Sequence, residues 1–351
     1  MKKSILLLFG FLFLRLSAQI PTYYSPVNFD LTGLALKAEL SDLITSTHTS
    51  PTSYSEVWDV LKVADLDPEN DDVVLLIYGY NDADGDNETD RTRDKHANGG
   101  SPPGEWNREH VFPKSLGSPD LGTTGPGSDP HHLRAADIDA NGHRSNRKFA
   151  NGAGNAGTVG ANWFPGEEWK GDVARMLMYM YVRYNSRCLP NAVTIGTSNA
   201  IDANMIDLLL EWHAADEVSP FEVNRNNVIY EEIGNRNPFI DNPAIANRIW
   251  GGPETEDTWG VLSVENFSTS TLNINVYPNP TESGEINLAI PASQTINKII
   301  MYSLDGRQII QAKPALATNQ YALDVKDIPS GLYLIELEVL GQLHIRKICI
   351  Q

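Results

Sequence analysis

At 351 residues the chain exceeds the roughly 250 to 300 residues at which a single core stops growing, so two domains are expected. Its formal net charge of −18, from 45 acidic and 27 basic side chains, excludes a broad electrostatic embrace of a polyanion. The two cysteines, Cys188 and Cys349, are too few for a disulfide scaffold, and no run approaches the roughly 20 apolar residues of a bilayer-spanning helix.

Taken in chain order, Lys2 and Lys3 precede an apolar stretch over 5–14 and a small pair, Ser17 and Ala18, in the order of a secretory signal peptide. The mature chain is then expected to start near Gln19 and to be soluble and exported. Apolar residues at near-helical spacing predict helices over 31–45 and 54–63. The run VVLLIYGY predicts a strand over 71–80, followed by the acidic loop NDADGDNETDRTRD. That loop lacks the spacing of an EF-hand, so a solvated acidic loop is preferred to a calcium site.

Two dense polar runs follow, WNREHVFPKS at 106–115 and SDPHHLRAADIDANGHRSNRKF at 128–149, divided by a Gly/Pro-rich spacer over 117–127 that reads as a loop. They lie in the least acidic part of the chain. Residues 19–104 carry 5 Lys/Arg against 16 Asp/Glu, whereas 105–187 carry 10 against 9, so any contact with phosphate should be local. Neutral His110 is a candidate general base, because imidazole has the side-chain pKa nearest neutrality. If the stretch is a strand end, Glu109 points to the other side from His110 and can face a metal. A guanidinium fork suits a phosphate, which makes Arg134 and Arg144 candidates for clamping one, while Arg108 and Lys114 could contact a nucleic-acid backbone. His131 and His132 read as a hydrogen-bonding scaffold, with Asn146 bonding nearby or reaching a metal through water. Trp106 and Phe149 read as core. Each has a plainer alternative: His110 capping a turn, Glu109 paired with Arg108 or Arg134, Asn141 and Gly142 ending a helix, Lys114 solvated.

A helix is expected over 135–149 if Asn141 and Gly142 are tolerated within it, then a strongly apolar one over 172–184 whose Met and Tyr stripe is core, and another over 201–214. A short helix ends at Trp250. Polar residues over 253–271 mark a linker. Seven apolar or alternating stretches follow (272–277, 285–290, 298–303, 308–311, 320–325, 331–339 and 342–350), parted by PNP, DG and PSG turns, and predict a small β-sandwich. Cys188 and Cys349 fall in different predicted domains, so no bridge between them is expected.

WNREHVFPKS, DPHHLRAADIDANGHRSNRKF, GDVARMLMYMYVRY and GNRNPFID together resemble the bacterial endonuclease I family over roughly residues 23–250. VYPNP, YSLDGR and PSGLYLIEL resemble the sorting domain of type IX secretion cargo in Bacteroidetes. The first resemblance implies an exported, magnesium-dependent nuclease with a His-metal finger, or ββα-metal site. It gives His110 the role of base and makes Glu109 and Asn141 the protein ligands of one Mg²⁺, with Mn²⁺ or Ca²⁺ as alternatives. The implied fold is α+β: a signal peptide over 1–18, a mainly helical nuclease domain with an embedded ββα-metal finger over 19–252, a linker over 253–271 and an all-β sandwich over 272–351. The implied activity is hydrolysis of DNA, with RNA a second substrate, with little sequence preference and with 5′-phosphate products. Its partners are nucleic acid and the type IX secretion machinery, and the chain is expected as a monomer, secreted or at the cell surface. A secreted adhesin or carbohydrate-binding protein is the non-enzyme alternative. The absence of HExxH and CxxC sequences disfavours a zinc hydrolase.

Overall fold

The computed structural model describes residues 19–100, 103–262, 274–291, 295–303, 306–314, 318–339 and 342–351; the expected signal peptide and residues 263–271 of the expected linker lie outside them. The chain divides into two compact units after Leu262.

In the first unit, α1 (Gly33–Ser46) buries Leu36, Leu40, Leu43 and Ile44 at the spacing of one helical face, and α2 (Val57–Ala64) buries Val57, Val60, Leu61 and Ala64. Strands β1 (Leu66–Asp67), β2 (Asn70–Leu75) and β3 (Thr92–Asp94) form an antiparallel sheet in that order. The strand expected over 71–80 ends at Leu75. Beyond it Tyr78 adopts φ 77°, and Gly79 passes so close to Asp90 that an added Cβ would lie 2.0 Å from its carbonyl oxygen.

β4 (Trp106–His110) and β5 (Leu133–Asp137) pair antiparallel, with Asn107 opposite Ala136 and Glu109 opposite Arg134, and α3 (Ile138–Arg144) follows at once. The helix expected over 135–149 is therefore corrected at both ends. Residues 135–137 complete the β-ladder, and Asp137 caps α3 by accepting the backbone N–H groups of Asp139 and Ala140 at 2.7 and 3.0 Å. At the other end Ser145 takes φ 52°, which stops the helical path. β6 (Gly157–Val159) and β7 (Asn162–Phe164) make a hairpin.

α4 (Lys170–Tyr184) is buried on nearly every side, and its Met and Tyr residues are core. Around it lie α5 (Pro190–Val193), α6 (Asp207–Ala215), α7 (Pro220–Ile233), α8 (Pro238–Asp241) and α9 (Ala244–Trp250). α6 starts later than expected, because Asn199 Oδ1 accepts the N–H groups of Ile201 and Asp202 and folds that segment into a turn. A buried charge network ties β5 to the helices. Arg134 reaches Asp65 and Asp172 at 3.2 Å each, Arg225 reaches Asp65 at 2.7 Å, and Arg175 reaches Glu222 at 2.6 Å. The expected linker begins later than residue 253: Trp259 and Leu262 are buried in the first unit's core, with Trp259 packed on Tyr24 and Phe29 at ring distances of 4.9 and 5.5 Å.

The second unit is all-β. β8 (Asn275–Tyr277), β9 (Glu285–Ala289) and β12 (Gln320–Asp324) form one sheet in the order β12-β9-β8; β10 (Ile296–Ser303), β11 (Gln308–Ala312), β13 (Gly331–Val339) and β14 (Gln342–Ile350) form the other in the order β11-β10-β13-β14. Alternate residues of β13, Tyr333, Ile335, Leu337 and Val339, share a core with Ile286 and Leu288 of β9. Cys188 and Cys349 are free thiols. No helix among the described residues is long and apolar enough to cross a membrane.

Candidate active site

The site grows from the alternation of β4, which sends Asn107 and Glu109 to one face of the strand. α3 turns back over that face, and the amide nitrogen of Asn141 donates to Asn107 Oδ1 at 2.6 Å. Glu109 is buried. Its Oε1 accepts the Tyr78 hydroxyl at 2.9 Å and lies 2.8 Å from Arg144 Nη1. Among the described residues no side chain donates to Glu109 Oε2 or to Asn141 Oδ1. The Glu109 carboxylate also accepts the His110 backbone N–H, while Asn141 has its amide nitrogen tied by Asn107 and its amide oxygen left for another partner. A carboxylate oxygen and an amide oxygen are hard donors that suit a hard divalent cation with room for water and phosphate oxygens, so these residues fit the implied metal. The described residues hold no group of three or more His, Cys, Asp or Glu able to bind one. Burial pushes the Glu109 carboxyl above the usual carboxylate range, with Arg144 and Tyr78 pulling it back.

His110, the next residue, places Nε2 2.9 Å from the carbonyl oxygen of Gly127. A carbonyl only accepts, so the proton sits on Nε2 and the lone pair on Nδ1. The ring stacks on Tyr54 at 5.4 Å with an interplanar angle of 21°. Burial lowers its pKa to about 4, which leaves the imidazole neutral near pH 7, the form a general base needs. The spacer over 117–127 therefore has a shaped task. Gly127 offers His110 its carbonyl, Pro126 takes a 2.7 Å bond from His132 Nε2, and a Cβ on Gly127 would sit 2.1 Å from the carbonyl oxygen of Gly122.

The two arginines expected to clamp phosphate are placed otherwise. Arg134 is fully buried in the charge network with Asp65 and Asp172. Arg144 is fully buried too, donating to the carbonyls of His110 at 2.9 Å and Val111 at 2.7 Å while pairing with Glu109. Neither presents a guanidinium to solvent, and the partner of Glu109 is Arg144 rather than Arg108 or Arg134. Arg108 lies over the rings of Tyr54 and Trp58 at 3.6 and 4.1 Å, half-buried, and Lys114 is exposed just past β4. His131 and His132 are buried, His131 against Asn235 and Tyr179, and His132 with its ring 5.5 Å from that of His110. Asn146 is exposed and donates to Ser115 Oγ at 3.3 Å. The acidic loop uses its carboxylates locally: Asp82 accepts the N–H groups of Arg91 and Thr92, and Asp84 accepts the Thr89 hydroxyl.

Asn107, Tyr78, Tyr54 and Gly127 escape a reading of the residues alone. Only Asn107 carries a sequence signal, since it stands two residues before Glu109 on a predicted strand and must share its face.

Residues 32–244 match the profile described as Endonuclease I. The chain belongs to the endonuclease I family. Residues 275–351 of this endonuclease I chain match the secretion system C-terminal sorting domain. It is 42% identical over 246 residues to an extracellular ribonuclease of Bacillus amyloliquefaciens, covering 67% of this chain and 80% of that one. It is 43% identical over 245 residues to an extracellular ribonuclease of Bacillus subtilis strain 168, covering 66% and 80%. Among solved structures, the CBM51-2 and INT domains of Clostridium perfringens ZmpB overlay 21% of this chain and 17% of that one, at 17% identity and a TM-score of 0.16, too low to carry an argument. The endonuclease I chain is thus a nuclease of a metal-dependent family, secreted or displayed at the cell surface, and the adhesin alternative falls.

Proposed function

We propose that this endonuclease I chain hydrolyses phosphodiester bonds of DNA and RNA with little base preference, at a ββα-metal finger made by β4, β5 and α3. The observation that carries the reading is the bond from the Asn141 amide nitrogen to Asn107 Oδ1, which sets the Asn141 amide oxygen beside the strand face that also carries the Glu109 carboxylate. Glu109 and Asn141 would hold one divalent cation, Mg²⁺ being the expected one. When bound, it supplies positive charge for the phosphoryl oxygens and the departing 3′ oxygen. Asn107 fixes which end of the Asn141 amide faces outward, and Tyr78 with Arg144 fixes the Glu109 carboxylate. His110, with its Nε2 proton engaged by Gly127, accepts the proton of the attacking water at Nδ1. Attack in line with the P–O3′ bond breaks that bond, and the departing 3′ oxygen takes a proton from solvent, which leaves 5′-phosphate and 3′-hydroxyl ends. Arg108 and Lys114 serve as contacts to the nucleic-acid backbone, which position a strand without reading bases. The RNA half of the reading is supported by the relatives' description as extracellular ribonucleases. The second unit serves as the address read by the type IX machinery, and the chain acts as a monomer.

The test is cleavage of plasmid DNA and of single-stranded RNA by the full chain in Mg²⁺ buffer, with and without EDTA. His110→Ala is expected to lower kcat by about 10² to 10⁴-fold while leaving the unfolding midpoint in place. Cutting by His110→Ala at the wild-type rate, or cutting undiminished by EDTA, would overturn the assignment of the chemistry to this site.

A further inference from the structure

Beside the candidate metal site lies a cleft of about 410 Å³. It shares walls with that site. Tyr78, whose hydroxyl holds Glu109, lines it, and so does Ala140, the chain neighbour of Asn141. Trp163 packs edge-on to Tyr78 at 5.5 Å, and Tyr80 stands at the rim with 36% of its surface exposed. Arg147, from the turn after α3, and exposed Thr158 complete the opening. One wall comes from the acidic loop, where Glu88 pairs with His143 and where Asp82, Asp84 and Asp86 are all exposed.

We propose that this cleft receives one unstacked nucleobase of the strand being cut, adjacent to the scissile phosphate; the proposal rests on the nuclease site described above. The volume falls in the range of small-molecule sites, about 300 to 1,000 Å³. Tyr78 and Trp163 are buried beneath it, and the exposed ring of Tyr80 at the rim offers a face that matches the π-face every base presents. Charge decides what enters. The one carboxylate that lines the cleft, Glu88, is already paired with His143, and the cation placed to meet a phosphate is Arg147 at the opening, so the backbone stays at the rim near Arg147 while the neutral base turns inward. A base inside a duplex cannot reach such a cleft without leaving its stack, so single strands are the better substrates.

The test is an abasic scan, with Mg²⁺ and a labelled single-stranded oligodeoxynucleotide cut by the full chain. Removing the one base beside the cut bond is expected to lower kcat/KM at that bond about tenfold, the order of one base–aromatic stack. Tyr80→Ala is expected to erase that penalty and Tyr80→Phe to keep it, with thermal unfolding reporting the fold of each. Should Tyr80→Ala not fold, the wild-type scan decides alone. Equal cutting whichever base is missing, or a full penalty in folded Tyr80→Ala, overturns the subsite and leaves the nuclease site standing. Wild-type activity in His110→Ala removes the nuclease site itself, and the subsite with it.

Discussion

At the scale of single residues, two side chains outside the polar motifs' obvious roles carry clear expectations. Asn107 touches the candidate metal only through Asn141, so Asn107→Ala should raise the Mg²⁺ concentration for half-maximal cutting by about 10- to 100-fold. The rate at saturating metal should change little. Metal titration of the variant checks this, and an unchanged midpoint would show that Asn141 needs no orienting partner. His213 tests a different physics. Burial, reinforced by Arg175, lowers its pKa from 6.5 to about 3, and its Nε2 donates to the Pro243 carbonyl at 3.1 Å. Because the folded value lies below the unfolded one, its contribution is intact above pH 6.5 and is lost as pH falls toward about 3. Relative to His213→Gln, which keeps a donor but does not titrate, the wild type should lose about 1.4 kcal/mol per pH unit across that window. Urea unfolding of both proteins above and below pH 6.5 reads the difference.

At the scale of elements, glycines on either side of the site should respond in opposite ways. Gly127→Ala would press a methyl group onto backbone, 2.1 Å from the Gly122 carbonyl oxygen, and displace the spacer that fixes the His110 ring. The expected result is a loss of about 1 to 3 kcal/mol in stability, with a larger proportional fall in activity. Gly142, inside α3, has no atom within 4 Å of an added Cβ, so Gly142→Ala should stabilise by about 0.5 to 1 kcal/mol. Chemical denaturation of the two variants compares them directly. The same elements show what the sequence makes legible. α1 and α4 announce themselves by apolar spacing, and the strands of the second unit by alternation between turn signals. α7 does not, because its buried face includes Glu222, Arg225 and Asn226, whose ion pairs and amide bonds replace the apolar pattern. The site divides likewise. Glu109, His110 and Asn141 stand out as residue types in a motif, but the burial of Arg134 and Arg144 is a product of tertiary structure. Both look like free phosphate ligands until the chain folds around them. The orienting contacts from Asn107, Tyr78 and Gly127 also depend on neighbours that sequence does not place.

For the molecule as a whole, the first unit's boundary makes a measurable claim. A chain ending at residue 252 lacks Trp259 and Leu262, both buried among Tyr24, Phe29 and their neighbours. It should be less stable than one ending at 262 by about 3 to 5 kcal/mol, the scale of removing a buried Trp, as read from denaturant midpoints. Equal midpoints would move the boundary back to the end of α9. The buried charges that join β5 to the helices have a last consequence. Breaking such a pair costs about 3 to 5 kcal/mol, so β5 is anchored from behind. α3 buries only Ala140 and Arg144. The unit of β4, β5 and α3 therefore has a stiff half and a compliant half. Adjustment to strands of different width falls to α3 and the acidic loop, while the carboxylate on β4, laddered to β5, keeps a constant depth whatever nucleic acid arrives.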